Sequence, residues 1–292
     1  MKIDGKTRLI GLLGWPISQT KSPVFQNALA KAYGQDFVYL PLPTHPNAVG
    51  DAVRGLPALG SLGVNVTVPH KQAVIPFLDQ IDSAAAAIGA VNTIVFRRQN
   101  QEDYPPQSTG YNTDWIGFKD DLVAHDIYFE NRDVLVLGAG GSARAVVYAL
   151  LKSNCRIHLF ARRFEQASAL AADMRKFFAQ AMIYPKSFSE LEETATGASS
   201  PLIVNTTPVG MIPNADQSIW PDKLPLPAAS EVYDLIYNPA ETKLMQQAQN
   251  CGCKAVNGLG MLLGQGAEAF RLWTGIKPDM KILEKAVNKP LT

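Results

Sequence analysis

Cysteine is scarce in this chain of 292 residues, with only Cys155, Cys251 and Cys253 present. An odd number in a chain of this length excludes a disulfide framework as the source of its stability. Cys251 and Cys253 flank one glycine, but no second cysteine pair and no histidine cluster accompanies them. No metal site is expected, and reduced cysteines near a helix end are the simpler reading. Net charge is almost absent too: 27 Lys and Arg offset 26 Asp and Glu, for a formal charge of +1. Nucleic-acid and membrane surfaces demand concentrated positive charge, so neither partner is expected. No apolar run is long enough to span a bilayer. The opening Met-Lys-Ile-Asp-Gly places charge where a secretory leader would be apolar, which points to a cytoplasmic location. There is no internal repeat and no low-complexity tract.

What is present is an ordinary globular composition, 47% hydrophobic and 18% charged, at a length that suits two modest domains. Residues 8–15 form a short apolar run ended by Gly14 and Pro16, the mark of a buried first strand. A helix is expected over 22–33, with Ser22 as its N-cap and Pro23 in its first turn. Strand chemistry returns at Phe37-Val-Tyr-Leu, helix at 47–59, and strand at Gly63-Val-Asn-Val-Thr-Val. Residues 71–88 read as helical with an interruption at Pro76, and Ala90 to Phe96 as another strand. Alternation of this kind predicts a parallel α/β sheet. Residues 97–109 are polar and Pro-rich and read as an exposed hairpin or loop. After a helix over 115–125, a second series begins with strands at Asp133-Val-Leu-Val-Leu, at Cys155 to Phe160, at Leu202-Ile-Val-Asn and at Glu231 to Ile236. Residues 212–228 hold four prolines and read as an irregular loop, and a helix over about 260–273 dominates the final segment.

The second series opens with Val134-Leu-Val-Leu-Gly138-Ala139-Gly140-Gly141-Ser142-Ala143, a strand, a glycine turn and a helix start that fit G-x-G-x-x-A. Gly138 permits the tight turn, Gly140 lets a pyrophosphate approach the backbone, and Ala143 lets helix and strand pack closely. The free N–H groups at the helix start then hold the anion. NAD-binding versions place a carboxylate at the end of the following strand to accept from the ribose 2′-hydroxyl. Here that strand ends in Ala161-Arg162-Arg163. Two guanidiniums suit a 2′-phosphate, so NADP is expected in preference to NAD.

Small polar groups crowd the ends of other strands, in Ser18-Gln-Thr-Lys-Ser-Pro, Asn65-Val-Thr-Val-Pro-His-Lys71, Gly89-Ala-Val-Asn92-Thr and Gly110-Tyr-Asn-Thr-Asp114. Hydroxyls, amides, one lysine and one aspartate converging there suit a polyhydroxylated acid, because each substrate hydroxyl needs a fixed partner. Together with Asn205-Thr-Thr-Pro-Val-Gly-Met, Tyr233-Asp-Leu-Ile-Tyr237-Asn-Pro and Asn257-Gly-Leu-Gly-Met-Leu-Leu-Gly-Gln265, these segments resemble, in order and over essentially the full length, the shikimate dehydrogenase family.

The resemblance implies an α/β substrate domain over 1–114, completed by C-terminal helices over 257–292. A Rossmann-type dinucleotide domain over 115–256 is implied between them. It implies NADP-dependent interconversion of shikimate and 3-dehydroshikimate, with a small-molecule substrate, a monomer or homodimer, and no metal. Lys71 and Asp114 would be the catalytic pair, with Lys71 as general acid/base and Asp114 as its partner. Hydride reduction of a ketone creates an alkoxide, so a proton donor must reach that oxygen, and a lysine with a lowered pKa can serve. By the same match, Thr20, Ser22 and Tyr237 would take the substrate carboxylate, and Asn65, Thr67, Asn92 and Gln265 the ring hydroxyls or the carboxylate–ring face. Thr206, Leu235 and Gly258 would line the nicotinamide side. The chain departs from the family in two places. Gln19-Thr20 stands where His-Ser is usual, which adds a methyl beside the carboxylate pocket. Ala161-Arg162-Arg163 replaces Asn-Arg-Thr, which removes ribose and phosphate contacts. Three other readings follow from the residues. They are a quinate/shikimate dehydrogenase of broader substrate and cofactor choice, a non-catalytic sensing domain, and a methylene-tetrahydrofolate-type dehydrogenase on a similar frame. Retention of Lys71 and Asp114 counts against the second, and the Gly-Tyr-Asn-Thr-Asp segment against the third.

Overall fold

Two series of strands and helices build two units, Met1–Thr113 with Leu263–Thr292, and Asp114–Leu262. The computed structural model describes residues 3–98, 100 and 104–288. Residues 99 and 101–103 of the polar stretch expected at 97–109, and both chain ends, lie outside the described residues.

The first unit contains β1 (Arg8–Gly14), α1 (Ser22–Ala32), β2 (Phe37–Pro43), α2 (Val49–Ala58), β3 (Gly63–Val66), β4 (Gln80–Ile81), α3 (Ser83–Ile88), β5 (Thr93–Arg97) and β6 (Gln107–Tyr111). Its sheet runs β2-β1-β3-β5-β6-β4. The sheet is mixed rather than wholly parallel: β5 pairs antiparallel with both β3 and β6. For β5 and β6 the reason is the short polar connection between them, because a short link can only reverse the chain, whereas parallel pairing needs a crossover. The helix expected over 71–88 is also broken. Residues 75–77 form a 3-10 turn containing Pro76, β4 follows, and only α3 is α-helical. Proline offers no N–H to a helix interior, and Asp82 starts α3 afresh by accepting from the Ala84 N–H at 2.9 Å.

Ser22 is not the cap of α1. The capping position is Lys21, and the N–H of Ser22 donates to the Thr20 hydroxyl at 3.2 Å. On one side of this sheet Leu13, Val53, Val64, Val66, Ile94 and Phe96 form an apolar cluster. Elsewhere in the unit, Phe37 and Tyr33 of the N-terminal half meet Phe270, and Tyr39 meets Trp273.

The second unit contains α4 (Asp114–Ala124), β7 (Asp133–Leu137), α5 (Gly141–Lys152), β8 (Arg156–Ala161), α6 (Phe164–Arg175), β9 (Ile183–Ser187), α7 (Leu191–Gly197), β10 (Leu202–Asn205), β11 (Glu231–Asp234), α8 (Lys243–Asn250) and β12 (Lys254–Asn257). The boundary with the first unit falls inside α9 (Leu259–Thr274), and α10 (Met280–Val287) follows. All pairings in its six-stranded sheet, β12-β11-β10-β7-β8-β9, are parallel. This is the doubly wound order in which the chain reverses direction between the first strand and its neighbour, here β7 and β10. The central strands β7 and β10 are apolar almost throughout, as burial on both faces requires, whereas the edge strands β9 and β12 are partly polar. Leu135, Ile203, Val232, Trp220, Leu244 and Cys253 share one cluster. Cys253 is therefore a core residue and Cys251 an exposed one, and all three cysteines are free. Among the described residues no group of His, Cys, Asp and Glu is placed to hold a metal, and no helix is long and apolar enough to cross a membrane.

Candidate active site

In the first unit, β1 and β3 run side by side, so the segments that leave their carboxyl ends start together. The end of β1 is tight: a Cβ on Gly14 would lie 2.5 Å from the Thr67 methyl and 2.4 Å from Ile17. The Thr67 N–H donates to the Leu13 carbonyl at 2.9 Å, and the Trp15 N–H to the Val68 carbonyl at 3.1 Å. This places Thr67 beside the loop that carries Thr20 and Ser22. A shallow cleft of about 300 Å³ lies along that loop, walled by Trp15, Pro16, Thr20 and Pro43. Lys71 is half-buried in the turn after β3, and its carbonyl accepts from the Val91 N–H at 2.7 Å. His70 before it is buried, with its ring Nε2 2.7 Å from the Thr44 carbonyl.

A chain of neutral polar groups links three of the expected substrate residues. Asn65 on β3 donates through Nδ2 to the Asn92 carbonyl at 3.2 Å and to the Thr93 hydroxyl at 3.0 Å, and its Oδ1 accepts from the buried Tyr39 phenol at 2.9 Å. Asn92 Oδ1 accepts from the Thr113 N–H at 2.7 Å and from the Thr93 hydroxyl at 3.1 Å. Asn92 Nδ2 donates to the Thr113 hydroxyl at 3.0 Å and reaches Gln265 Oε1 at 3.4 Å. Asn65, Asn92, Thr93 and Thr113 are all at most 5% exposed. Side chains buried like this are held in one geometry because an unmade hydrogen bond there costs roughly 1–3 kcal/mol. Asp114 follows Thr113 directly, opens α4 and is buried at 6% exposure.

Thr93 and Thr113 carry no motif signal of their own, although both stand beside candidate site residues. Tyr39 carries none either, since a tyrosine in an apolar strand looks like core. Burial raises the Tyr39 phenol pKa far above the usual tyrosine range and keeps it neutral, and the Ser22 hydroxyl beside it offsets only part of that.

In the second unit the glycine turn follows β7. Gly138 adopts φ +114°, a conformation that favours glycine, and a Cβ there would come within 2.5 Å of the Thr206 hydroxyl. Gly140 is extended and caps α5 without any side-chain hydrogen bond, and a Cβ on Gly140 or Gly141 would meet nothing within 4 Å. Ala139 and Ser142 complete the turn, both half-buried, and Ala143 is fully buried against the sheet. The N-terminal N–H groups of α5 thus face an open cradle of small residues, the chemistry a pyrophosphate needs. Arg162 and Arg163 are exposed at the end of the neighbouring β8, where Arg163 precedes α6.

Thr206 leaves β10 with its N–H and hydroxyl both donating to the Leu137 carbonyl, at 2.8 and 2.9 Å. Leu235 leaves β11, its N–H donating to the Asn205 carbonyl at 3.0 Å. Gly258 leaves β12 so close to Leu235 that a Cβ would lie 2.2 Å from the Leu235 carbonyl oxygen. Gly138, Thr206, Leu235 and Gly258 therefore line one row along the carboxyl edge of the sheet. Tyr237 lies two residues beyond Leu235 in this unit, and burial pushes its phenol pKa up. Thr20, Ser22, Asn65, Thr67, Lys71, Asn92 and Gln265 belong to the first unit, Asp114 and Tyr237 to the second.

Comparison with known proteins gives consistent matches. The shikimate dehydrogenase substrate binding domain family matches residues 12–94, and the shikimate 5′-dehydrogenase C-terminal domain family matches residues 258–287. The NADP(+) shikimate dehydrogenase of Carboxydothermus hydrogenoformans is 40% identical over 288 residues, covering 98% of this chain and 99% of that protein. A crystal structure of a shikimate dehydrogenase in complex with NADP+ superimposes with a TM-score of 0.88 at 36% identity, covering 98% of this chain and 96% of the other. The quinate dehydrogenase of Corynebacterium glutamicum in complex with NAD gives a TM-score of 0.87 at 30% identity, covering 96% and 98%.

Proposed function

The chain belongs to the shikimate dehydrogenase family, and we propose that it is an NADP-dependent shikimate dehydrogenase, interconverting shikimate and 3-dehydroshikimate. The observation that carries the reading is the buried chain from Asn65 through Asn92 to Gln265. A set of fixed amides and hydroxyls is what a small polyol needs, and it is wasted on an apolar ligand. The glycine turn after β7 fits a dinucleotide, with Gly138 to Ala143 on the pyrophosphate, Arg162 and Arg163 on a 2′-phosphate, and Thr206, Leu235 and Gly258 on the nicotinamide side. NADP held there supplies or accepts the hydride.

The remaining work falls to side chains. Thr20, Ser22 and Tyr237 donate hydroxyl hydrogen bonds to the substrate carboxylate. Asn65, Thr67, Asn92 and Gln265 orient the ring through its hydroxyls. In the reducing direction negative charge grows on the carbonyl oxygen, and Lys71 gives that oxygen a proton while Asp114 orients the reacting groups. In the oxidising direction Lys71 takes the hydroxyl proton. The partners are small molecules, and one chain carries every residue named, so a monomer or a homodimer serves equally. Three reduced cysteines and a soluble cofactor fit the cytoplasm.

The test is NADPH formation by purified protein given shikimate and NADP. Lys71→Ala is expected to lower kcat by roughly 10²–10⁴ with NADPH binding intact. Unchanged turnover in Lys71→Ala would remove that residue from the mechanism. A second reading, quinate with NAD, is favoured by the likeness to the quinate dehydrogenase and by the Thr20 methyl. Parallel assays with quinate and with NAD decide between the two.

A further inference from the structure

Behind the row of residues along the sheet edge lies a carboxylate that the reaction does not use. Asp234 ends β11 and is fully buried. Its Oδ1 accepts from Asn205 Nδ2 at 2.9 Å and from the Ile236 N–H at 3.1 Å, and its Oδ2 accepts from the Thr242 hydroxyl at 2.7 Å. Each donor comes from a different segment. Asn205 ends β10, and its Oδ1 in turn accepts from the Thr207 N–H at 2.9 Å and the Thr207 hydroxyl at 2.7 Å, which shapes the loop that begins with Thr206. Ile236 lies in the loop that begins with Leu235. Thr242 caps α8, where its Oγ1 accepts from the Met245 N–H at 3.3 Å. One group therefore sits where the exits of β10 and β11 and the start of α8 meet. The exit of β10 is bonded onward to β7 through Thr206 and Leu137, and the exit of β11 carries the backbone on which Gly258 packs. In parallel α/β sheets the ligand lies outside these carboxyl ends.

We propose that Asp234 is a positioning residue for the dinucleotide: its carboxylate holds the loops after β10 and β11 in the arrangement that presents Thr206, Leu235 and Gly258 to the nicotinamide half. The proposal rests on NADP being the cofactor. An ionised carboxylate suits the task because it accepts several hydrogen bonds at once and donates none. It is also held there against a cost. Its hydrogen-bond partners among the described residues, Asn205, Ile236 and Thr242, are neutral, and burial pushes the carboxyl up to about 6. A charge kept in the interior without a cation is unfavourable for folding. Packing alone would favour an apolar side chain at this position, so the polar acceptor is explained by what it aligns.

The experiment titrates the full chain and its variants with NADPH by fluorescence, and measures KM for NADP and for shikimate separately. Asp234→Ala is expected to weaken NADPH binding by about tenfold or more, the effect of removing shared buried hydrogen bonds. Its KM for shikimate should rise by no more than about threefold, since of the substrate contacts only Tyr237 stands on a loop that Asp234 holds. Asp234→Asn retains the shape and most acceptors and should recover binding to within about threefold. Thr242→Val removes one donor and should weaken NADPH by about threefold, and it serves in place of Asp234→Ala if that variant does not fold. Wild-type NADPH affinity in the Ala variant, or in Thr242→Val if it takes that variant's place, overturns the proposal. So does a loss that falls equally on shikimate and NADP, the signature of a general loss of structure. If the wild-type chain binds NADPH but turns over neither shikimate nor quinate, the catalytic reading fails while NADPH titration still decides the role of Asp234. A wild-type chain that does not bind NADPH overturns both.

Discussion

The two units satisfy their functional polar groups in opposite ways. In the first, the candidate ligands bond to one another: Asn65, Asn92 and Gln265 are links of one side-chain chain, with Thr93, Thr113 and Tyr39 between and behind them. In the second, the candidate ligands are mostly backbone and very small side chains, and the polar support lies one layer back, on Asp234. The difference follows from what each binds. A polyol is read by many directional donors and acceptors, each of which must be pre-aimed. A dinucleotide pyrophosphate is held by main-chain N–H groups, so what matters is where the backbone goes and how closely it can approach. A substitution in the first unit should therefore act through lost partners, and one in the second through displaced backbone.

The largest effect expected from this contrast concerns Asp234. Its carboxyl has a pKa of about 6 in the folded protein, above the unfolded value of 3.8, because burial disfavours the charged form. The folded state therefore holds this proton more tightly. The stability it confers is fully present below pH 3.8 and is lost as pH rises through about 6. The difference corresponds to about 3 kcal/mol. Asp234→Asn should remove this dependence, so that the variant gains on wild type in chemical denaturation between about pH 4 and pH 6 and keeps a constant lead above. Parallel stability curves for the two proteins across that range would mean that the buried carboxylate titrates normally.

Gly258→Val should come next. Its Cβ would meet the Leu235 backbone at 2.2 Å, and main chain cannot yield as a side-chain tip can. NADPH affinity should fall by about a hundredfold through displaced loops, with a smaller loss for shikimate, which meets only Tyr237 on the displaced segment. Equal affinity in this variant would show that the close approach of the β11 and β12 exits is irrelevant to the cofactor.

The smallest of the three is Asn92→Ala. It removes a hub whose amide serves Thr93, Thr113 and Gln265, and should cost about 2 kcal/mol in kcat/KM for shikimate, roughly thirtyfold, through unsatisfied neighbours. NADPH titration should be unchanged. A loss shared between both ligands would blur the contrast between the units.

Much of this protein could be read from its residues in order. The apolar run of β10 sits where β-branched and aliphatic residues predict it, at Leu202–Asn205, and the glycine turn between β7 and α5 announces itself because only small residues tolerate its geometry. The family resemblance is likewise a property of consecutive residues. What lay beyond the sequence depends on pairing across long separations. The strands at Ile183–Ser187 and Lys254–Asn257 were not foreseen, because each is short and partly polar and becomes a strand only by adding to an edge of the parallel sheet. The antiparallel turn of β5 is decided by its neighbours rather than by its own composition. Asn92 and Gln265, 173 positions apart, meet only because the C-terminal helix returns to the first unit. Asp234 looks in sequence like any aspartate toward the end of a strand. Folding removes it from water and brings three donors to it, and burial and partners of that kind exist only in the tertiary structure.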